Sequence, residues 1–388
     1  MTVECDVLVV GAGPAGAVTS LACVKQGLNT VLLEKNPVVG GYTKTKLDAS
    51  ADGELTKVIR ELKLRTENEV YTSRWYAPSG NYFLLRSSTH EYFFKRGPEA
   101  DSFEVSTVKE ARKEGCKVFL NTKIKMLNEV KGKVDSVTVS KGGEEIHIKP
   151  KVVVAADGGN SMFHRFVNKT SENRKKLGYG VTGEGFSDTD SSNIYFDAEL
   201  IPGGYFYLIT GKSGVSSACI VLDSSKAENP AKEYFKRFLG ANKELAEKIK
   251  LHSNTFSGEG LIFDIDRYVS KNIVFVGDAA GLLDPFFGYG MTSAIVSGYH
   301  AGRYIKKAFE EDNLALLEGY DSKIREKFDK RLSYLYQRVF ESLKNEDLEL
   351  IAEILNELDK KGNLEALLGQ LTGETARDVE PSINVHGT

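Results

Sequence analysis

The chain has 388 residues, 41% of them hydrophobic, enough for two or three domains' worth of packed core. Its 51 basic and 54 acidic residues leave a formal net charge of −3, so no basic excess recruits nucleic acid by neutralising phosphates. Cys5, Cys23, Cys116 and Cys219 are scattered without a CxxC pair or ligand spacing, which reads as four reduced structural thiols and no metal site, and no stretch approaches the roughly 20 apolar residues of a membrane span.

Residues 7 to 35, VLVVGAGPAGAVTSLACVKQGLNTVLLEK, place an apolar strand, a glycine turn, a helix and a second strand ending in an acid in the order a dinucleotide site requires. Gly11, Gly13 and Gly16 stand at GxGxxG spacing. Gly11 allows a tight exit from the strand, Gly13 lets backbone amides approach a pyrophosphate, and Gly16 lets the helix pack closely on the sheet. Pro14 and Ala15 open the helix, whose N-terminus favours an anion. Glu34 closes the second strand, where a carboxylate accepts the hydroxyls of an adenosine ribose, and Lys35 follows it. No leader pattern precedes the glycine turn, and the expected setting is the cytoplasm with at most a peripheral membrane contact.

The polar run NPVVGGYTKTKLDAS reads as a loop, and Leu55 to Leu64 as an amphipathic helix. Residues 67 to 96 carry β-forming runs at 82–85 and 92–94, split by a polar RSSTH turn and ending in Lys95 and Arg96. Phe103 to Lys113 reads as a helix and Lys117 to Asn121 as a strand. Residues 126 to 150 form a hairpin around KGGEE, after which VVVAADGGNS returns to a parallel sheet. From Gly178 to about Asp223, alternating apolar and polar residues between glycine turns predict an antiparallel sheet, with Tyr205, Phe206, Tyr207 and Leu208 offering aromatic and aliphatic surface. AKEYFKRFLGANKELAEKIK reads as one helix, Ile273 to Val276 as a strand, and Tyr320 to Leu371 as helical, ahead of a flexible tail.

Three distant segments form one consistent set: the N-terminal glycine turn, VVVAADGGNS at 152 to 161, and IVFVGDAAGLLDPFFGYGM at 273 to 291. Gly277 and Asp278 end a buried strand, and the Asp278 carboxylate there can accept from a ribityl hydroxyl. Pro285, Phe286, Phe287 and Gly288 lead to Gly290 and Met291, where missing side chains admit a flat ring and backbone amides can stabilise negative charge on it. Together these segments resemble the flavoprotein hydroxylase (p-hydroxybenzoate hydroxylase) fold, and within it the geranylgeranyl reductase family of archaea and photosynthetic organisms, in its digeranylgeranylglycerophospholipid-reductase-like branch. The likeness spans nearly the whole chain.

The resemblance implies an α/β protein with an α+β second domain: a Rossmann-like, three-layer β/β/α FAD-binding domain, an antiparallel substrate domain and C-terminal helices. The implied division is 1–66, 97–177 and 258–318 for the FAD domain, 67–96 and 178–257 for the substrate domain, 319–375 for the helical region and 376–388 for the tail. It further implies that FAD contacts Ala15, Glu34, Arg96, Asp278, Gly290 and Met291, that Ile124 lies beside the adenine end, and that Asp157 and Gly158 lie near the pyrophosphate. Tyr205, Tyr207, Phe286 and Phe287 are candidate substrate contacts. No residue is singled out as the general acid. His300 reads as a packed or exposed histidine, and Trp75, the one tryptophan, stands away from the motifs.

The implied activity is reduction of C=C bonds in a prenyl or other isoprenoid lipid by hydride transfer from reduced flavin, with ferredoxin or NAD(P)H as electron donor. The chain departs from that family in carrying TKTKLD at 43 to 48 where relatives have a Cys-Gly-Gly loop. It also reads GGYFYLITG where they have a Tyr, Trp, Phe and Pro signature, which leaves open a different substrate. Two alternatives stay open: an FAD monooxygenase of an aromatic or apolar small molecule, and a non-enzymatic flavin or lipid binder.

Overall fold

The structure is a computed structural model that describes residues 2–41, 44–249 and 254–360, without the side chains of 87–89 and 171–173. β1 (Thr2–Val10) leads into α1 (Pro14–Lys25) and β2 (Thr30–Leu33), so the N-terminal strand, helix and strand form as their apolar runs dictate. β3 (Lys46–Ala51), α2 (Gly53–Leu62), β4 (Asn68–Tyr76) and β5 (Tyr82–Arg96) follow. Asp52 starts α2 by accepting from the Glu54 and Leu55 amides at 2.8 and 3.2 Å. α3 (Phe103–Lys113) and β6 (Lys117–Phe119) come next, then the meander of β7 (Thr122–Val130), β8 (Lys133–Lys141) and β9 (Glu144–Ala155).

The second half holds β10 (Lys169–Glu184), β11 (Ser191–Tyr195), β12 (Tyr205–Thr210), β13 (Val215–Asp223), α4 (Ala231–Ala241) and α5 (Lys243–Lys248). β14 (Asn254–Ile265), β15 (Val269–Ser270) and β16 (Ile273–Phe275) lead to α6 (Met291–Glu310), α7 (Glu318–Lys327), α8 (Arg331–Phe340) and α9 (Asn345–Lys360).

Two sheets organise these elements. In the first, β16, β9, β1, β2 and β6 run parallel, with β15 antiparallel at one edge. The strands buried on both faces are the near-continuous valine and leucine runs, as a parallel sheet covered on each side requires. α3 and α6 each pack against α1 to form one layer, and the β7–β8 meander with the first half of β9 supplies another. This is the expected three-layer β/β/α arrangement. The second sheet has the order β14-β10-β13-β12-β11-β4-β5-β3 and is antiparallel as expected, except that β11 and β4 run parallel where its two halves join.

Four expectations change. The RSSTH run is a bulge rather than a turn: residues 87–90 of β5 stand opposite Tyr71 alone, between the pairs Val70–Glu91 and Thr72–Arg86, so the ladder breaks while the strand continues. Part of the 36–50 loop is strand β3, pinned to the antiparallel sheet by pairing with β5 and by Leu47 N donating to Ser217 Oγ at 2.8 Å. The helix read across 231–250 divides at Asn242, whose side-chain amide bonds the Phe238 carbonyl at 2.9 Å and whose backbone leaves the helical region. β14 was not expected at all; its glycine-rich half hides the alternation. With β3 and the first half of β10, it carries the antiparallel sheet beyond 67–96 and 178–257. The described helices α7, α8 and α9 lie in the expected C-terminal region, while the rest of that region and the tail fall outside the described residues.

Candidate functional site

The carboxyl ends of β1, β9 and β16 open toward the antiparallel sheet, and a cavity of about 340 Å³ lies between them, where ligands of open α/β sheets bind. One wall brings together Gly13, Pro14 and Ala15 at the start of α1, Ala156 and Gly158 after β9, Asp278 after β16, and Gly288, Gly290 and Met291 at the start of α6. These come from the three distant sequence segments. The opposite wall is Ile194, Tyr205, Tyr207, Ile209, Val221 and Phe287, largely aromatic and aliphatic. Trp75 backs it, its ring 5.9 Å from that of Phe287, so the tryptophan read as remote from the motifs supports the site.

The three glycines of the first motif do different work. A Cβ on Gly11, whose φ is +104°, would sit 2.4 Å from the Ala156 carbonyl oxygen, and one on Gly16 would sit 1.9 Å from that of Gly11. Both permit backbone contact inside the protein. A Cβ on Gly13 would meet nothing within 4 Å. Gly13 caps α1 with extended backbone and no side-chain hydrogen bond, and the first turn of the helix carries no acid. An uncapped, 12-residue helix therefore presents its positive end to open space in the cavity.

Asp278 faces the same space. Burial raises its carboxyl, with Arg96 and Lys46 offsetting part of the rise, and no described side chain hydrogen-bonds it. A carboxylate that is exposed to the cavity and has no side-chain partner fits a hydroxyl-bearing chain such as ribityl. Arg96 is no free surface charge: it pairs with Asp48 at 2.8 Å and with Glu104, and its guanidinium reaches Met291 Sδ at 3.3 Å. Burial would raise the Asp48 carboxyl, but Lys46, at 2.9 Å, and Arg96 hold it below the usual range. Lys46 and Asp48 thus belong to the cavity wall, although their segment reads as loop in the sequence.

The phenols of Tyr205 and Tyr207 are committed. Tyr205 donates to the Phe287 carbonyl at 2.5 Å and Tyr207 to the Leu47 carbonyl at 3.3 Å, and burial pushes both well above the ordinary phenol range. Tyr205 therefore fixes the loop before α6 to the sheet. Glu91, Lys176 and Tyr289 also line the cavity. Sequence reasoning missed Glu91 because the polar run just before it reads as a turn.

Other candidate residues stand outside this cavity. Both oxygens of Glu34 are engaged, one by the Ala12 amide at 2.8 Å and the other by the Asn36 amide at 2.9 Å, which ties the glycine turn to the end of β2. Lys35 is exposed, and half-buried Ile124 packs on the main core. Asp157 accepts from the Met162 amide at 2.9 Å and keeps a buried Oδ1 without a partner. Gly277 lets its turn approach α1, since a Cβ there would lie 2.8 Å from that of Ala15. Pro285 is buried, and Phe286 packs on Phe340 at 5.3 Å. His300 Nε2 donates to Glu54 Oε1 at 2.6 Å, away from the cavity. The four cysteines are buried and unpaired, and no metal-ligand cluster occurs among the described residues.

Comparison with known proteins gives the same picture. A family model described as FAD dependent oxidoreductase matches residues 6–162, and one described as FAD binding domain matches residues 100–332, more than half of the chain. The chain is 27% identical to digeranylgeranylglycerophospholipid reductase 2 of Methanopyrus kandleri, over 97% of this chain and 96% of the relative. It is 28% identical to digeranylgeranylglycerophospholipid reductase of Methanocaldococcus jannaschii, over 91% and 90%. The crystal structure of a geranylgeranyl bacteriochlorophyll reductase-like protein from Thermoplasma acidophilum superposes with a TM-score of 0.77 at 25% identity, covering 91% of this chain and 92% of that one. p-Nitrophenol 4-monooxygenase from Pseudomonas putida shares the fold, with a TM-score of 0.75 at 15% identity over 97% of this chain and 100% of the other.

Proposed function

We propose, from the premise that this chain belongs to the FAD-binding-domain family and is an FAD-dependent oxidoreductase, that it reduces C=C bonds of a prenyl lipid. The single observation that carries this reading is the two-sided cavity, with helix N-termini, glycines and Asp278 on one wall and the aromatic and aliphatic surface of Ile194, Tyr205, Tyr207, Ile209, Val221 and Phe287 on the other. Reduced FAD, when bound, supplies a hydride equivalent to an apolar substrate. The start of α1 at Gly13 to Ala15 would hold the diphosphate, Glu34 the ribose, Asp278 the ribityl chain, and the turn from Gly288 to Met291 the edge of the ring. Gly11, Gly16, Gly277 and Pro285 would shape the backbone around it, with Lys35, Ile124, Asp157 and Gly158 nearer the adenosine and diphosphate. Tyr205, Tyr207, Phe286 and Phe287 would pack along or behind the lipid.

This reading keeps the division into an FAD domain and a substrate domain, with β3, β10 and β14 crossing between them. The relatives named above act, by name, on a prenyl glycerophospholipid, and similarity over nine-tenths of both chains favours that class over hydroxylation. No described helix is long and apolar enough to cross a membrane. A peripheral contact is supported by α8, which exposes Leu332, Leu335, Tyr336 and Val339 while its Phe340 packs on Phe286 beside the cavity. Ferredoxin or NAD(P)H remains the proposed electron donor.

The test is anaerobic incubation of FAD-loaded, chemically reduced protein with a digeranylgeranyl glycerophospholipid, followed by mass spectrometry. The reading expects two hydrogens gained per double bond. Substrate-free oxygen mixing that accumulates a flavin hydroperoxide, with no saturated lipid formed, would favour the monooxygenase instead.

A further inference from the structure

Glu91 follows the bulge in β5 and lines the cavity. Its Oε2 accepts from Ser192 Oγ on β11 at 2.5 Å, and no hydrogen bond from a described residue reaches Oε1. Ser192 Oγ lies 2.8 Å from Ser73 Oγ on β4, which also accepts from Trp75 Nε1 at 2.9 Å. Ser192 is buried at the cavity wall and Ser73 is half-buried behind it, so two hydroxyls connect the carboxyl to the neighbouring strand. Each hydroxyl can donate or accept, and the pair can reverse direction as the carboxyl gains or loses its proton.

The charged groups of the cavity wall do not compensate Glu91. Lys46 and Arg96 pair with Asp48, Arg96 also with Glu104, and Lys176 faces Asp223 at 3.5 Å. Arg74, on β4, pairs with Asp188. Glu259 pairs with Lys175, and Asp278 is itself an acid raised by burial. The Tyr289 phenol is close enough to feel the Glu91 charge. A carboxyl placed among serines, a phenol and apolar side chains, with no cation of its own, favours its neutral form.

We propose that Glu91 is the acid that protonates the substrate carbon as its C=C bond is reduced, a role that rests on the prenyl-reductase reading above. The carboxylic acid O–H bond breaks and a C–H bond forms at one carbon, while the hydride equivalent from the reduced flavin forms the other C–H bond. The π bond is consumed and Glu91 is left as carboxylate. It recovers a proton from solvent through Ser73 and Ser192. Burial raises the Glu91 carboxyl to about 7, with the Ser192 hydrogen bond opposing the rise, so a substantial fraction carries the proton at neutral pH and can transfer it. Tyr205 and Tyr207 are engaged with backbone carbonyls and are far weaker acids.

Two measurements test this. Infrared pH titration of the cofactor-free protein should show a carboxylic-acid carbonyl band that titrates near neutral pH and is missing in Glu91→Gln. Anaerobic turnover of the FAD-loaded protein should fall roughly 10²- to 10⁴-fold in Glu91→Gln with FAD affinity unchanged, and partly recover in Glu91→Asp. A Glu91→Gln protein that saturates prenyl lipid at the parent rate overturns the proposal and leaves the reductase reading standing. So does an infrared band unchanged by the substitution. If the parent protein itself saturates no prenyl lipid, the reductase reading falls and the donor role falls with it.

Discussion

Substituting Gly13 by Asp should separate cofactor binding from folding. A Cβ at Gly13 meets no protein atom within 4 Å and its backbone is extended, so the fold tolerates a side chain there. Asp is a better helix N-cap than Gly by a few tenths of a kcal/mol, so the cofactor-free protein should unfold at the same temperature or slightly higher. The new carboxylate would occupy the space assigned to the diphosphate. At a separation of about 4 Å and an effective dielectric near 20, each like-charge pair costs about 4 kcal/mol, roughly a thousandfold in affinity. Gly16→Ala should behave in the opposite way: its Cβ lies 1.9 Å from the Gly11 carbonyl oxygen, and relieving that overlap costs about 1–3 kcal/mol of stability even without cofactor. Thermal unfolding of the apoproteins and FAD titration by flavin fluorescence check both. The reasoning is refuted if Gly13→Asp binds FAD like the parent, or if its apoprotein is destabilised as much as Gly16→Ala.

Arg96→Met should cost about 3–5 kcal/mol in urea unfolding, because it strands the buried Glu104 carboxylate, one of whose oxygens already lacks a partner, beside Asp48; a loss below 1 kcal/mol would mean the pairs are not formed. Tyr205→Phe should cost about 1 kcal/mol by releasing the Phe287 carbonyl, with FAD binding retained, as read by the same two assays. Between pH 4.5 and about 7 the folded chain keeps a proton on Glu91 that the unfolded chain releases. Stability should therefore decline with rising pH across that window, and less so in Glu91→Gln, in melts recorded at fixed ionic strength. Leu335→Ser together with Tyr336→Ser should leave the melting temperature within about 2 °C yet weaken co-sedimentation with phospholipid vesicles; unchanged sedimentation would count against a membrane face on α8.

The parts of the fold legible in the sequence are those whose local pattern and tertiary role agree. The span from 7 to 35 and the helix at 103–113 carry apolar periodicity that packing then uses, and the sequence-based bounds of that helix match α3. Pattern fails where tertiary pairing overrides it. The polar residues after Arg86 remain in β5 because β4 lies alongside on both sides of the bulge, and the lysine-rich run before Ala51 becomes β3 because β5 and Ser217 bond its backbone. The same two misreadings hid Glu91, Lys46 and Asp48, which enter the cavity only through those strands. Glycine spacing located the turn at 11–16, but the separation of Gly13 from Gly11 and Gly16 depends on contacts with Ala156, far along the chain.

A crystal structure of the protein reconstituted with FAD tests the central claim most directly. The account predicts density for the diphosphate at the amides that open α1 near Gly13 to Ala15, for the ribityl chain within hydrogen-bond reach of Asp278, and for the ring between Gly288–Met291 and the Tyr205 wall. FAD bound elsewhere, or a cavity that stays empty at saturating FAD, would contradict it.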